Sequence, residues 1–386
     1  MLKEQTTITI TQNSEGRSKV ITFDFCHAWE YSDNWEELSS KGKITFPKKV
    51  IVIDEQTSKK VPLYGTRKFV SDMFRRGDKV KIESRYIHWN ENLDQKRTKL
   101  ETIVDGYITK VNASLPIELE IEDNMYILKQ TPMTNGAFKS TQSIESILKS
   151  YLEPLGLTVN MLTTTNLVFE NSLLTAENET VAQFLAKLRK DYFLKSYFRG
   201  NELRIGALVY VEEEAVQKTF AFEDNIISSE LKYNRKDDVV LSAVASNHIT
   251  EVVGQTKQGV PKTKSVRLEV LVTFKNDKIT SKVINKNEKA DPSVEGERRT
   301  LTYPFAKTVK ELTDLATEDL KKYYYSGFKG KFTTFGTPYI HFGDNSEIIN
   351  PTLPEQNGIY KVKGVDYSGG VDGYRQTIEL DYKLNI

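Results

Sequence analysis

The sequence predicts an α+β protein that is mainly β, on three observations. Apolar and polar residues alternate with period 2 through most of residues 1–122, the period becomes helical between about 123 and 192, and alternation returns from 219 onward. A chain of 386 residues has room for two to three domains at roughly 150 residues each. Hydrophobic residues are 38% of the chain and 19 Tyr and 18 Phe supply bulk, which suits sheets with one wet face better than thick helical cores.

The first strands lie at the N-terminus. Ile8 and Ile10 alternate with Thr7, Thr9 and Thr11, and after the turn NSEGRS, Ile21, Phe23 and Phe25 alternate with Thr22 and Asp24, which is a hairpin pattern. Further strand signals are KITF (43–46), VIVI (50–53), VKIE (80–83), TIVDGYITKV (102–111) and PIELEIE (116–122). Short strands at this density, with no helix signal among them, predict a small barrel or sandwich.

Beyond residue 123 the apolar residues fall on helical stripes. Ile144, Ile147, Leu148, Tyr151 and Leu152 share one face, after Ser/Thr cap candidates and before Pro154 and Gly156. A second stripe holds Val181, Phe184, Leu185 and Leu188, and YFRGNELRIG (197–206) then carries a Gly-Asn turn between two alternating arms. Residues 123–218 therefore read as a separate α+β lobe.

Strand patterns resume in TFAFEDN, SSELKYN and DVVLSAVAS from residue 219. A polar stretch at 254–264 and a lysine-rich one at 275–299 follow, and Gln255–Thr300 carries 11 Lys/Arg against 6 Asp/Glu, a local excess of +5. Interleaved acids and the lack of an aromatic platform favour a solvated loop or a subunit contact over a nucleic-acid surface. Thr308 with Glu311 three residues later forms a capping box, opening a helix through Val309, Leu312, Ala316, Leu320 and Tyr323 to Gly327. Ile378, Leu380, Tyr382 and Leu384 restore the strand period at the end.

Charge and motifs exclude several functions. Lys+Arg is 54 and Asp+Glu 53, so no global field draws the chain to nucleic acid or an anionic membrane. The polar N-terminus predicts no secretion leader, and no apolar run approaches the roughly 20 residues of a membrane span. Asn-X-Thr/Ser matches at Asn112 and Asn178 then have no glycosylating compartment. Cys26 is the only cysteine, which rules out an internal disulfide and a cysteine-based zinc site and predicts a reducing compartment. Beside His27 on a strand it would face the opposite way, so a buried structural thiol is the preferred reading. His27, His88, His248 and His341 show no metal-ligand spacing, and there is no nucleophile elbow, Walker loop or dinucleotide fingerprint. The sequence thus predicts no catalytic residue, no metal ligand and no cofactor.

Two features invite closer weighing. Glu118, Glu120 and Glu122 with Asp123, as a carboxylate pair beside Trp29, Trp35 and Trp89, give a carbohydrate-binding or glycan-cleaving protein as the alternative function, but the wet face of a half-buried strand is the preferred reading of the glutamates. A weak repeat links GDKVKI and DGYITKV to GDNSEI and NGIYKV. Gly-Asp and Asn/Asp-Gly are ordinary turn chemistry, so the motif alone leaves coincidence and duplication both open.

The order of the segments carries a resemblance. KGKITFPKK, GDKVKI, DGYITKV and LPIELEIEDNMYILKQ, followed by SIESILKSYLEPLGL, TVAQFLAKLRKDYFLKSYFRGNELRIG, FEDNIISSELKYNRKDDVVLSAVAS, FTTFGTPYIHFGDNSEI and NGIYKVKGVDYSGGVDGYRQTIELDY, resemble the late-control protein D family. These are tail-hub proteins of contractile phages, related to the hubs of contractile injection and type VI secretion devices. The resemblance covers nearly the whole chain except 254–300.

It implies two similar tube β-barrels with an α+β lobe between them: a first barrel at 1–122, the lobe at 123–218, a second barrel from 219–249 and 331–386, and residues 250–330 inserted into the outer lobe. It implies a homotrimeric hub, pseudo-six-fold because each chain supplies two barrels, joined to tail tube, baseplate proteins and a separate spike. It implies no enzyme activity, no membrane insertion and no specific nucleic-acid binding, and a place on the virion tail or a phage-like particle assembled in the bacterial cytoplasm. Structural signature positions would be Gly77, Asp78, Gly106, Tyr107, Pro116, Glu122, Asp123, Asn225, Gly343, Asp344, Gly358 and Tyr360.

Overall fold

The computed structural model describes the chain apart from residues 1, 14–15, 17, 48–50, 54–59, 63–72, 90–94, 115, 139–141, 163–173, 193, 207–209, 256–260, 285–295, 304–305, 307 and 385–386. It is mainly β and falls into two units: Met1–Glu230 with Lys331–Ser346 and Val362–Leu380, and Leu231–Gly330 with Glu347–Lys361 and Asp381–Ile386.

The first unit is built on strands β1 (Leu2–Thr11), β2 (Val20–Phe23), β3 (Ala28–Asn34), β4 (Lys41–Phe46), β5 (Lys79–Trp89), β6 (Glu101–Asn112) and β7 (Ile117–Glu122). Their alternating pattern sets the register. Ile8 faces Ile82 and Ile10 faces Val80 between β1 and β5, and Ile117 and Leu119 face Phe46 and Ile44 between β7 and β4, so one side of each strand is buried. Phe23, Phe46 and Phe74 close this core with ring centroids 4.7 to 5.7 Å apart. Cys26 is buried, but in the connection between β2 and β3 rather than on a strand, and burial pushes its thiol up to about 12.

The α+β lobe follows within the same unit. A helical turn, α1 (Met125–Leu128), leads to α2 (Ile144–Leu152) and α3 (Val181–Tyr192), which pack on β8 (Thr158–Met161), β9 (Lys195–Arg199) and β10 (Glu202–Gly206). Ser143 caps α2 by accepting from the Ser146 N–H. β9 and β10 form the expected hairpin, while β8 pairs parallel to β10, a contact that no local pattern announces.

After the lobe, β11 (Gln217–Ala221) and β12 (Ile226–Ser229) return to the sheet. The second unit interrupts it with β13 (Leu241–Gln255), β14 (Pro261–Lys275), β15 (Lys278–Val283), β16 (Glu297–Thr302) and α4 (Val309–Lys322). The last strands are β17 (Lys331–Phe335), β18 (Asn345–Ile349), β19 (Gly358–Gly370) and β20 (Arg375–Lys383).

Two expectations change here. DVVLSAVAS, expected in the second barrel, opens β13 in the four-stranded sheet β15-β14-β13-β16. Of the solvated loop or subunit contact expected for the basic region, the loop half changes: much of the region is strand, because Val266, Leu268, Val270, Val272 and Phe274 alternate with mainly polar and charged residues along β14. α4, capped by Thr308 at the Glu311 N–H, buries Leu312, Ala316 and Leu320 against Val270, Val272 and Phe274. The remainder of the basic region, 256–260 and 285–295, lies outside the described residues.

In the first unit the sheet runs β12-β17-β20-β19-β3-β4-β7-β6-β5-β1-β2, with β18 between β19 and β11. This path is open; none of the sheets closes into a barrel among the described residues. No described helix is long and apolar enough to cross a membrane.

Candidate functional site

The two Gly-Asp turns have the same construction. Gly77 at φ +92° and Gly343 at φ +85° occupy a backbone region that favours glycine. Gly77 N–H donates to the Ile108 carbonyl at 2.8 Å, and Ile108 N–H returns to the Asp78 carbonyl at 2.9 Å. Gly343 and Val362 exchange the matching pair with Asp344, at 2.8 and 3.0 Å. Each aspartate then folds its carboxylate back to accept the N–H three residues earlier: Arg75 to Asp78 at 2.8 Å, His341 to Asp344 at 2.9 Å. The other carboxylate oxygen accepts a remote N–H, from Asn13 at 3.1 Å in one turn and Val216 at 3.2 Å in the other. Asp78 is buried, and these backbone N–H groups give its carboxylate oxygens hydrogen-bond partners.

The correspondence extends to whole strands. Each turn opens a strand, β5 or β18, and the neighbours repeat in both chain order and sheet order. The first set is arranged β3-β4-β7-β6-β5-β1 and the second β12-β17-β20-β19-β18-β11. Counted along the chain, β1, β3, β4, β5, β6 and β7 match β11, β12, β17, β18, β19 and β20 one for one. The two sets therefore share one strand order and one pattern of hydrogen bonds at the turn.

One junction joins the sets. β19 pairs antiparallel with β3 from Gly364–Asn34 to Gly370–Ala28, placing Tyr367 opposite Tyr31. A Cβ on Gly369 would lie 2.4 Å from the Trp29 indole nitrogen, so the ring reaches the backbone only because that residue is glycine. Beside it, Tyr86 from the first set stacks on Tyr374 at 5.7 Å and meets Phe335 edge-on at 6.4 Å. Its hydroxyl donates to the Tyr374 carbonyl and accepts from Arg375 Nη1 at 3.2 Å.

The remaining signature positions are structural as placed. A Cβ on Gly106 would sit 2.1 Å from the Glu122 carbonyl oxygen, while Tyr107 stacks on Tyr126 at 5.5 Å. Pro116 is exposed at the entry to β7. Asp123 accepts from Ser40 N–H at 3.0 Å and Met125 N–H at 2.9 Å, tying β7 to β4 and to α1; burial raises its carboxyl to about 7. Asn225 closes the turn between β11 and β12 through Ala221 N–H and the Thr219 carbonyl, at 2.8 and 3.2 Å. In the second unit, Tyr360 accepts from Phe328 N–H at 2.9 Å, and Gly358 lies against the Lys383 side chain.

The alternative glycan site is not assembled. Trp29 is buried on Tyr374 at 5.8 Å, Trp35 donates to the Tyr210 hydroxyl at 3.0 Å under Lys195, and Trp89 lies at the end of β5. Glu118, Glu120 and Glu122 each have a lysine partner of their own, Lys43, Lys110 and Lys129. His27 and His88 are exposed and His341 is half-buried; the His248 side chain lies outside the described residues.

No protein-family model and no curated protein matches the sequence. Its structure is similar to the 43 kDa tail protein of prophage MuSo2 from Shewanella oneidensis, at 11% identity and a TM-score of 0.56, over 98% of both chains. It is also similar to a tail protein from Neisseria meningitidis MC58, at 11% identity and a TM-score of 0.51, over 99% of this chain and 97% of that one. Over nearly its whole length, the chain has the fold of phage tail proteins.

Proposed function

We propose that this chain is a structural tail-hub protein, three copies of which form a ring of six similar units joining the tail tube to a spike in a contractile phage or phage-like injection device. The observation that carries the reading is the internal duplication: two strand sets of one topology, each pinned by an identically bonded Gly-Asp turn, joined edge to edge in one chain. Two units per chain convert three-fold symmetry into six similar positions, which an adaptor between a three-fold and a six-fold part needs. Each set serves as one tube unit, the counterpart of a tube barrel. Strands β1 and β3–β7 form the first and strands β11, β12 and β17–β20 the second; the α+β lobe and the inserted 231–330 belong to neither set.

In this reading the chain has no catalytic role. It resides on the tail of the particle, against tube and baseplate proteins, after assembly in the bacterial cytoplasm. Light scattering at high protein concentration is the first test: the expected mass is three times the 44.2 kDa of the chain. A dimer or tetramer contradicts the reading, since neither supplies six units.

A further inference from the structure

We infer that copies of this chain join strand to strand, the outer edge of β12 in one copy pairing with the C-terminal part of β6 in the next. The inference rests on the hub reading and names the strands through which its ring closes. Its ground is the junction the chain already contains. β3 does not end the sheet, because β19 takes its outer edge, and the stretch of β19 that does so starts two residues past Val362. Val362 is the residue bonded to the second Gly-Asp turn; its counterpart at the first is Ile108 in β6.

The counterpart of β3 is β12, and the sheet path ends there. The counterpart of β19 is β6, which pairs with β5 only as far as Tyr107. Past Ile108, the described pairings of β6 are with β7 alone. Joining two like units by one junction leaves one edge of each kind, and pairing those edges between copies repeats the junction. Because the two edges differ, the contact is head to tail, the kind that generates rings.

Composition and exposure agree. Ile226, Ile227 and Ser228 bring neither charge nor proline, the usual guards of a solvent-facing edge strand. Ile227 is 45% exposed, whereas Trp29 and Tyr31, on the matching strand covered from both sides, are 1% and 7% exposed. On the opposite edge Lys110, Asn112, Ala113 and Ser114 are exposed.

The test is cross-linking. Ser228→Cys is combined in turn with Lys110→Cys, Val111→Cys and Asn112→Cys; opposed residues of antiparallel strands have Cα atoms about 4.5–5.5 Å apart, within disulfide reach. Cys26 is buried and stays, with the unmodified chain and Ser228→Cys alone as controls. After oxidation at high concentration, at least one pair is expected to give covalent dimers and trimers on a non-reducing denaturing gel, and the controls none. If light scattering shows a trimer that no pair cross-links, the edge pairing is overturned and the hub reading stands. If the protein is a monomer that no pair cross-links, both are overturned.

Discussion

At Asp78 and Asp344 a carboxylate holds two backbone donors apiece, and their equivalence can be measured. Replacing either with Ala leaves those N–H groups without their acceptor, a loss of about 1–3 kcal/mol. Asp78→Ala and Asp344→Ala should therefore lower the unfolding midpoint in denaturant by similar amounts, and Asn at either position should recover part of it. A large effect at one turn and none at the other would contradict the duplication. Asp123 behaves differently with pH. Its carboxyl is raised by burial from an ordinary value near 4 to about 7, so the folded state holds a proton the unfolded chain releases. Stability then falls as pH rises from about 4 to 7 and levels above, and Asp123→Asn should flatten that slope in melts across the range. Most of this was hidden in the sequence: Gly-Asp was visible as a turn, but the donors from Asn13 and Val216 come from residues 65 and 128 positions away.

Helices and hairpins were the most legible elements, because their signals are local. The Thr308 cap and the stripe of Leu312, Ala316 and Leu320 both stand where the sequence puts them. Thr308→Ala removes the oxygen that accepts the Glu311 N–H and should cost about 1 kcal/mol, read as a shift of the denaturant midpoint with its slope unchanged. The strands of the inserted unit were less legible, since charged residues such as Arg267 and Lys275 on β14 mimic a loop although Val270, Val272 and Phe274 between them are buried, and β15 is exposed along its whole length. Pairing partners were hidden altogether. Nothing near Ala28–Asn34 announces Gly364–Gly370, over 300 residues on, and the glycines that let Trp29 reach the backbone look like turn residues. Gly369→Ala, which would press a methyl against that indole, should destabilise by about 1–3 kcal/mol.

For the molecule as a whole, two strand sets of one topology in one chain are the feature on which the proposed ring rests. The sequence showed the duplication only as a short motif, because the insertions between matching strands differ in length and place: the 231–330 segment separates β12 from β17 in the second set, where β3 and β4 nearly adjoin in the first. Only the strand order exposes the match. Six similar positions from three chains remain the central claim, and the most direct measurement is electron cryo-microscopy of the purified assembly viewed down its axis. The expected image is a ring of three chains and six wall units, the two Gly-Asp turns of each chain at equivalent places about 60 degrees apart. A ring in which only one strand set of each chain lines the wall, or one with a number of chains other than three, would contradict it.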